Sequence, residues 1–189
     1  MLETYGAGLL AGQFFGLVAL AICIAAFASK QDDRLMVLLI SANVAFALQF
    51  MFFASWTAAV LTLLVIVRIM LARHYVGSRK VLAAVLLANL LAAALTWQHW
   101  VDVFPLIAAI LGSLSMFLLR GIAMRVGLGL AALAWMLNNI LIGSVGGTLA
   151  EGLVVVTNAI TIWRLLRVRR KYPEIFDASL EEAAQERHN

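Results

Sequence analysis

The sequence predicts an all-α integral membrane protein with seven transmembrane helices. Two parallel three-helix repeats are joined by a linker helix (3+1+3), with the N-terminus outside and the C-terminus inside. Three observations carry this. Apolar residues make up 64% of the 189 and charged residues 13%, where a soluble domain sits nearer about a half and a quarter. The apolar residues fall into seven stretches, each near the length a helix needs to cross about 30 Å of hydrocarbon. The 14 Lys and Arg residues occupy only alternate gaps between those stretches or their borders, and basic loops stay cytoplasmic.

Taken in order, the spans are approximately 7–28, 35–53, 56–72, 81–97, 103–119, 126–142 and 148–166. The first has no basic residue ahead of it and is too long for a signal-peptide core, so it reads as a retained span. Lys30 and Arg34 mark the first cytoplasmic gap, and Arg68, Arg73, Arg79 and Lys80 the second. Arg120 and Arg125 mark the third. Arg164, Arg167, Arg169, Arg170, Lys171 and Arg187 fall at the end of the chain. The opposite gaps, near 54–55, 98–102 and 143–147, hold none. Two of them, Ala54-Ser55 and Gly143-Ser144-Val145-Gly146-Gly147, are short enough to force antiparallel neighbours. Trp56, Tyr75, Trp97 and Trp100 lie near span ends, as interfacial aromatics do. Arg68, near the inner end of its span, is expected to snorkel to the cytoplasmic surface. Beyond Lys171, Ser179-Leu180-Glu181-Glu182 reads as a capping box opening a short cytoplasmic helix.

Shifting the chain by 90 places Phe27 on Phe117 and Lys30 on Arg120. A shift of 89 places Phe46 on Trp135, Gln49 on Asn138, Ser55 on Ser144 and Thr62 on Glu151. Spans 1–3 thus map onto spans 5–7 with span 4 left over, and the odd count makes the repeats parallel. The organisation is a first repeat over 1–80, a linker helix at 81–97, a second repeat over 98–171 and a tail at 172–189.

Enzyme chemistry is not expected. No histidine lies within a span to serve Ser113, Ser115 or Ser144, and no intramembrane acidic pair offers a metal site. Phosphate-loop and dinucleotide fingerprints are missing, so no cofactor is implied. His74, His99 and His188 are scattered, and Cys23 is the single cysteine, so neither a metal centre nor an intrachain disulfide is expected. The positive charge follows topology and attraction to anionic headgroups; no nucleic-acid partner is expected.

The candidate site is therefore polar and intramembrane. Glu151 is the only acid inside a predicted span. Such residues face a cavity or a partner, or else reach headgroup water from near the span end. Asn158 lies two turns further along the same face. Asn138 and Asn139, with Gln49 and Asn43 in the first repeat, are amides that need either another helix or a ligand. Trp135, away from the interface, either stacks on a substrate or fills a helix interface. The candidate substrate-binding set is Trp135, Asn138, Glu151, Asn158 and Gln49. Small-residue stripes at Gly8, Gly12, Gly16 and at Ala84, Ala88, Ala92 are expected to pack the bundle, with a homodimer as the other reading.

The motif set Lys30-Gln31-Asp32-Asp33-Arg34, Ala54-Ser55-Trp56-Thr57-Ala58-Ala59 and Trp135-Met136-Leu137-Asn138-Asn139 is joined by Gly143-Ser144-Val145-Gly146-Gly147 and Glu151. Together these resemble the YgjV-type bacterial inner-membrane protein family, from about Gln13 to Arg167. The resemblance implies a bacterial inner-membrane, multi-pass protein and brings no assigned activity. More distantly, the plan is similar to that of the SWEET, SemiSWEET and PnuC-type transporters. There an Asn follows the Trp motif by about a dozen residues and lines the substrate site. Glu151 stands at roughly that position, with Thr62 its counterpart.

The function expected from these readings is transport of a small polar solute by alternating access between two three-helix bundles. The alternative is a non-transporting membrane scaffold or regulatory subunit that binds a protein partner through its cytoplasmic tail, 172–189.

Overall fold

The computed structural model describes residues 2–29, 31–75 and 77–171; the capping box expected at Ser179 lies outside them. Among the described residues seven α-helices form: α1 (Leu2–Ala28), α2 (Asp32–Phe52), α3 (Trp56–His74), α4 (Arg79–Thr96), α5 (Val103–Leu118), α6 (Gly121–Leu141) and α7 (Val145–Lys171). A single 3₁₀ turn, Trp100–Asp102, leads into α5. All seven helices, α5 together with that turn, are long and apolar enough to cross a membrane. In lipid a helix satisfies its own backbone groups, so an apolar run of this length has no competing structure. Every helix but α5 runs past its expected span limit at one end or both, most of all α1 from Leu2, α6 from Gly121 and α7 over Val145–Lys171. Hydropathy marks the hydrocarbon border, but backbone hydrogen bonding continues beyond it until a turn residue intervenes.

Many large apolar side chains face outward: Leu10, Phe14, Val37, Leu87, Leu95 and Trp163 are all exposed. The interior holds a few, Phe50, Leu61 and Phe117 among them, and is otherwise rich in alanines such as Ala19, Ala42, Ala58, Ala108 and Ala150, with amides and hydroxyls. Lipid gives no hydrophobic reason to bury leucine, so close backbone approach and hydrogen bonds decide what lies inside.

The helices close into a ring. Helix α2 packs between α1 and α3, α6 packs between α5 and α7, and the contacts α1–α7 and α3–α5 complete the circuit. Helix α4 lies outside, against α3 and α5. One end of the bundle, termed the basic end, carries Arg73, Arg79, Lys80, Arg120, Arg125 and the close of α7. The tight turns Phe53–Ser55 and Ile142–Ser144 mark the other.

Those two turns have the same hydrogen bonds. Phe53 N donates to Gln49 O and Ser55 N to Phe50 O; Ile142 N donates to Asn138 O and Ser144 N to Asn139 O. In both, the middle residue is left-handed, Ala54 with φ 54° and Gly143 with φ 77°. Helices α2 and α6 are each 21 residues long, and every one of these matches holds at an offset of 89.

Arg68 departs from expectation: it does not snorkel. Its side chain is only 8% exposed, and it donates to Ala109 O of α5 at 3.2 Å. Helix α3 ends at the basic end, and Cα–Cβ bonds tilt toward a helix N-terminus, so the side chain starts out pointing away from that surface. Gly112 of α5, lacking a side chain, leaves the space the guanidinium occupies. The small stripe on α1 packs internally: Gly12 meets Phe53, and Gly16 meets Gln49 and the backbone at Gly146. On α4 the packed face is Leu82, Val85, Asn89 and Ala93, one position round from the expected Ala84, Ala88, Ala92 stripe. Asn89 draws it inward, because its amide needs a partner and finds Ser113 Oγ at 3.5 Å.

Candidate functional site

The polar centre is built where α2 and α6 face each other across the ring. Gln49 of α2 is fully buried and donates from Nε2 to Asn139 Oδ1 at 2.9 Å. Asn139 in turn donates from Nδ2 to Trp135 O at 3.0 Å. Three glycines leave room for this tier. A side chain at Gly16 would strike Gln49 Oε1, one at Gly147 would strike the Asn139 amide, and one at Gly146 would strike the α1 backbone at Gly16 and Leu17. Ser144 Oγ closes the turn by accepting from Gly147 N at 3.1 Å.

An aromatic layer lies next to the amides. Phe50 stacks on Trp135 with centroids 5.6 Å apart and planes at 22°, and Phe46 continues the stack at 6.5 Å. Trp135 is thus packed on protein along one face.

Several buried polar atoms have no hydrogen-bond partner among the described residues: Gln49 Oε1, Asn158 Oδ1, and both amide atoms of Asn138. Asn138 is the most demanding of these, because it is 0% exposed and both ends of its amide are unpaired. A buried amide left wholly unpaired costs on the order of 1–3 kcal/mol per group, and such groups call for a ligand or water.

Asn138 lies on the face of α6 that leads, three and four residues on, to Leu141 and Ile142. Those two residues wall a cavity of about 400 Å³ at the tight-turn end, with Phe53, Ser55, His99, Trp100 and Asp102 on the other sides. Asp102 itself is held by its backbone neighbours, its Oδ2 accepting from Gln98 N at 2.7 Å and His99 N at 3.0 Å.

Glu151 is half-buried on α7 and has no side-chain hydrogen bond or ion pair among the described residues. Asn158 donates to Val154 O at 3.0 Å and faces Gly129 of α6. It lies seven residues from Glu151, about 10 Å along the axis. The structure therefore links Gln49 and Trp135 through Asn139 and places Asn158 at mid-length of α7, opposite Gly129.

Sequence reasoning gave Asn139 no place in the substrate-binding set and passed over Phe50 and the turn clamp formed by Gln13. Gln13 donates from Nε2 to Gly143 O at 2.6 Å and accepts from Val145 N at 3.0 Å. The 89-residue offset, which places Phe50 on Asn139, was the available signal for the first two. Nothing local marks Gln13.

The chain matches the family model Imp-YgjV, described as a bacterial inner membrane protein, over residues 10–169. A curated relative is the inner membrane protein YgjV of Escherichia coli (strain K12), 29% identical over 75 residues. That alignment covers 40% of this chain and 41% of the relative, so the chain spans about two-fifths of the length of the curated protein it matches. No solved structure matches the chain. With seven apolar helices around a small-residue and amide interior, and a family match along most of its length, the chain belongs to the Imp-YgjV family of bacterial inner membrane proteins.

Proposed function

We propose that this protein carries a small polar solute across the inner membrane by alternating access between two parallel three-helix bundles, α1–α3 and α5–α7, linked by α4. The observation that carries the reading is Asn138, fully buried on α6 with both amide atoms unpaired among the described residues. The identical turns at an offset of 89 support the repeat. So does the packing order, in which α1–α2, α2–α3 and α3–α5 become α5–α6, α6–α7 and α7–α1. The basic end faces the cytoplasm on this reading, which puts the N-terminus outside and the C-terminus inside.

The roles follow from the chemistry present. The cavity at the tight-turn end is the outer entry, and Asn138, one helical turn beneath its wall, binds polar groups of the solute. Trp135, backed by Phe50, forms a rigid wall. Gln49 Oε1 accepts from the solute, Glu151 attracts a cation or carries a proton, and Asn158 receives the solute nearer the basic end. The protein is not an enzyme on this reading and needs no cofactor.

The test is thermal stability of the purified protein against a panel of small polar metabolites and cations, beside Asn138→Ala and Glu151→Gln. A ligand that binds only the folded state raises the melting temperature with its saturation. The expected result is a shift of several degrees for one compound class, lost in Asn138→Ala. No shift from any compound, with both variants merely less stable than the parent, favours the amide tier as structural glue in a scaffold that binds a partner through its tail.

A further inference from the structure

The cavity at the tight-turn end has a charge on its wall that no described cation balances. Asp102 lines it and is only 4% exposed. The backbone N–H groups of Gln98 and His99 both donate to Oδ2, and no described residue donates to Oδ1. Those two donors bring no positive charge. Neither the two tight turns nor residues 97–102 contain a lysine or arginine. Ser55, also on the wall and 9% exposed, makes no side-chain capping bond to α3, although it stands at the capping position. A buried carboxylate ordinarily has a counter-ion or a metal beside it.

The rest of the wall narrows the occupant. Phe53, Trp100, Leu141 and Ile142 supply aromatic and aliphatic surface, and Trp100 is braced edge-on by Phe104 at 6.1 Å. The volume of about 400 Å³ falls in the range of about 300–1,000 Å³ that small ligands occupy. An anion would meet the Asp102 carboxylate with no cation to offset it. A magnesium or calcium ion takes about six or more oxygens, and no group of three metal-ligating side chains occurs among the described residues. One carboxylate oxygen, one hydroxyl and aromatic surface suit a single positive charge spread over carbon. Trp100 is exposed, as tryptophans at the membrane–water boundary are. An ammonium group therefore has access from water or from a lipid headgroup.

We propose that this cavity binds a small organic ammonium ion, with the Asp102 carboxylate as its counter-ion. The proposal rests on the transport reading in taking the cavity as the outer mouth, and it names a cation as the class of solute; the binding itself needs no transport.

The experiment is equilibrium binding of labelled choline and labelled ethanolamine to the full-length protein in neutral detergent. The competitors are 3,3-dimethylbutanol, the uncharged isostere of choline, and short-chain phosphatidylethanolamine and phosphatidylglycerol. Two variants accompany it. Asp102→Asn removes the charge and keeps an acceptor for the Gln98 and His99 N–H groups. Leu141→Lys leaves Asp102 intact and tethers an ammonium at the cavity wall. The expected result is saturable binding of at least one ammonium, weakened at least tenfold in each folded variant and barely displaced by the alcohol. Displacement by phosphatidylethanolamine assigns the site to a lipid headgroup, and resistance to it assigns the site to a free solute. Should Asp102→Asn fail to fold, Leu141→Lys and the alcohol comparison decide. No saturable binding, equal competition by the alcohol, or unchanged binding in either folded variant overturns the proposal, as does displacement by phosphatidylglycerol in preference to phosphatidylethanolamine. Uptake into proteoliposomes separates the two readings. An ammonium bound but not carried removes transport alone, and an uncharged solute carried by a protein that binds no ammonium removes this proposal alone.

Discussion

The turn joining α2 to α3 and the turn joining α6 to α7 share one backbone, yet they sit in different surroundings. Both place a left-handed residue two positions after the helix end, and both return the same pair of hydrogen bonds. Above the second turn, Gln13 ties down Gly143 O and Val145 N. Gln13 shifted by 89 is Asp102. A carboxylate cannot donate to a carbonyl, and Asp102 Oδ2 accepts instead from Gln98 N and His99 N. Between Asp102 and the first turn lies the 400 Å³ cavity. Both turns border a cavity, of about 400 Å³ beside the first and about 280 Å³ beside the second, but only the second is clamped by an amide. Two turns can thus have one backbone and different anchoring because of a single donor.

The largest expected effect lies just past the two turns, where Gly146 packs on α1 and Thr57 on α4. Gly146 meets the α1 backbone at Gly16, with no flexible side chain to yield. Gly146→Val should cost about 3 kcal/mol or prevent folding, as overpacking against rigid neighbours does. Thr57, 89 residues earlier, donates to Thr96 O at 2.7 Å; Thr57→Val should cost about 1 kcal/mol. Thermal unfolding of both in one detergent measures the difference, and equal losses would break the comparison.

The next effect has opposite signs in the two turns. Gly143→Ala puts a β-carbon on a left-handed residue and should cost about 1 kcal/mol. Ala54→Gly relieves that same conformation and returns part of the gain as unfolded-chain entropy, for a net change of about 0.5 kcal/mol or less toward stability. A paired melting experiment that gave both variants the same sign would show that the turns are not equivalent.

The smallest effect concerns the clamp. Gln13→Glu keeps an acceptor for Val145 N but loses the donor to Gly143 O. Amide exchange across 142–148 should then quicken several-fold, while exchange across 53–59 stays as it was. Equal protection in parent and variant would remove Gln13 from the account.

Most of the architecture was legible in the chain. Seven apolar runs separated by Gln31, Ala54-Ser55 and Gly143-Ser144 leave little choice of helix number, because lipid removes the alternatives to helix. The offset of 89 was visible in Ser55 and Ser144 and is now seen in the backbone around them. The direction of Arg68 was not legible: charge near a span end suggests the surface, and only Gly112 and Ala109, some forty residues on, provide the buried space. Nor could the sequence tell which of Asn138 and Asn139 is paired. Neighbouring residues on a helix point about 100° apart, so one meets Gln49 and the other meets nothing that bonds it. The Gln13 clamp reaches across 130 residues, and no local pattern announces it.

That separation has a consequence for biosynthesis. Helix α1 is the first of the seven to be made, and its partners at Gln13 and Gly16 are the α6–α7 turn and Gly146, among the last. With translation at about 5–20 residues per second, the interval is on the order of ten seconds. Throughout it, the amide and the glycine face of α1 rest against lipid, the translocation machinery or α2 alone. A ribosome stalled before residue 145 leaves an open ring, and that unfinished edge is what membrane quality control would meet.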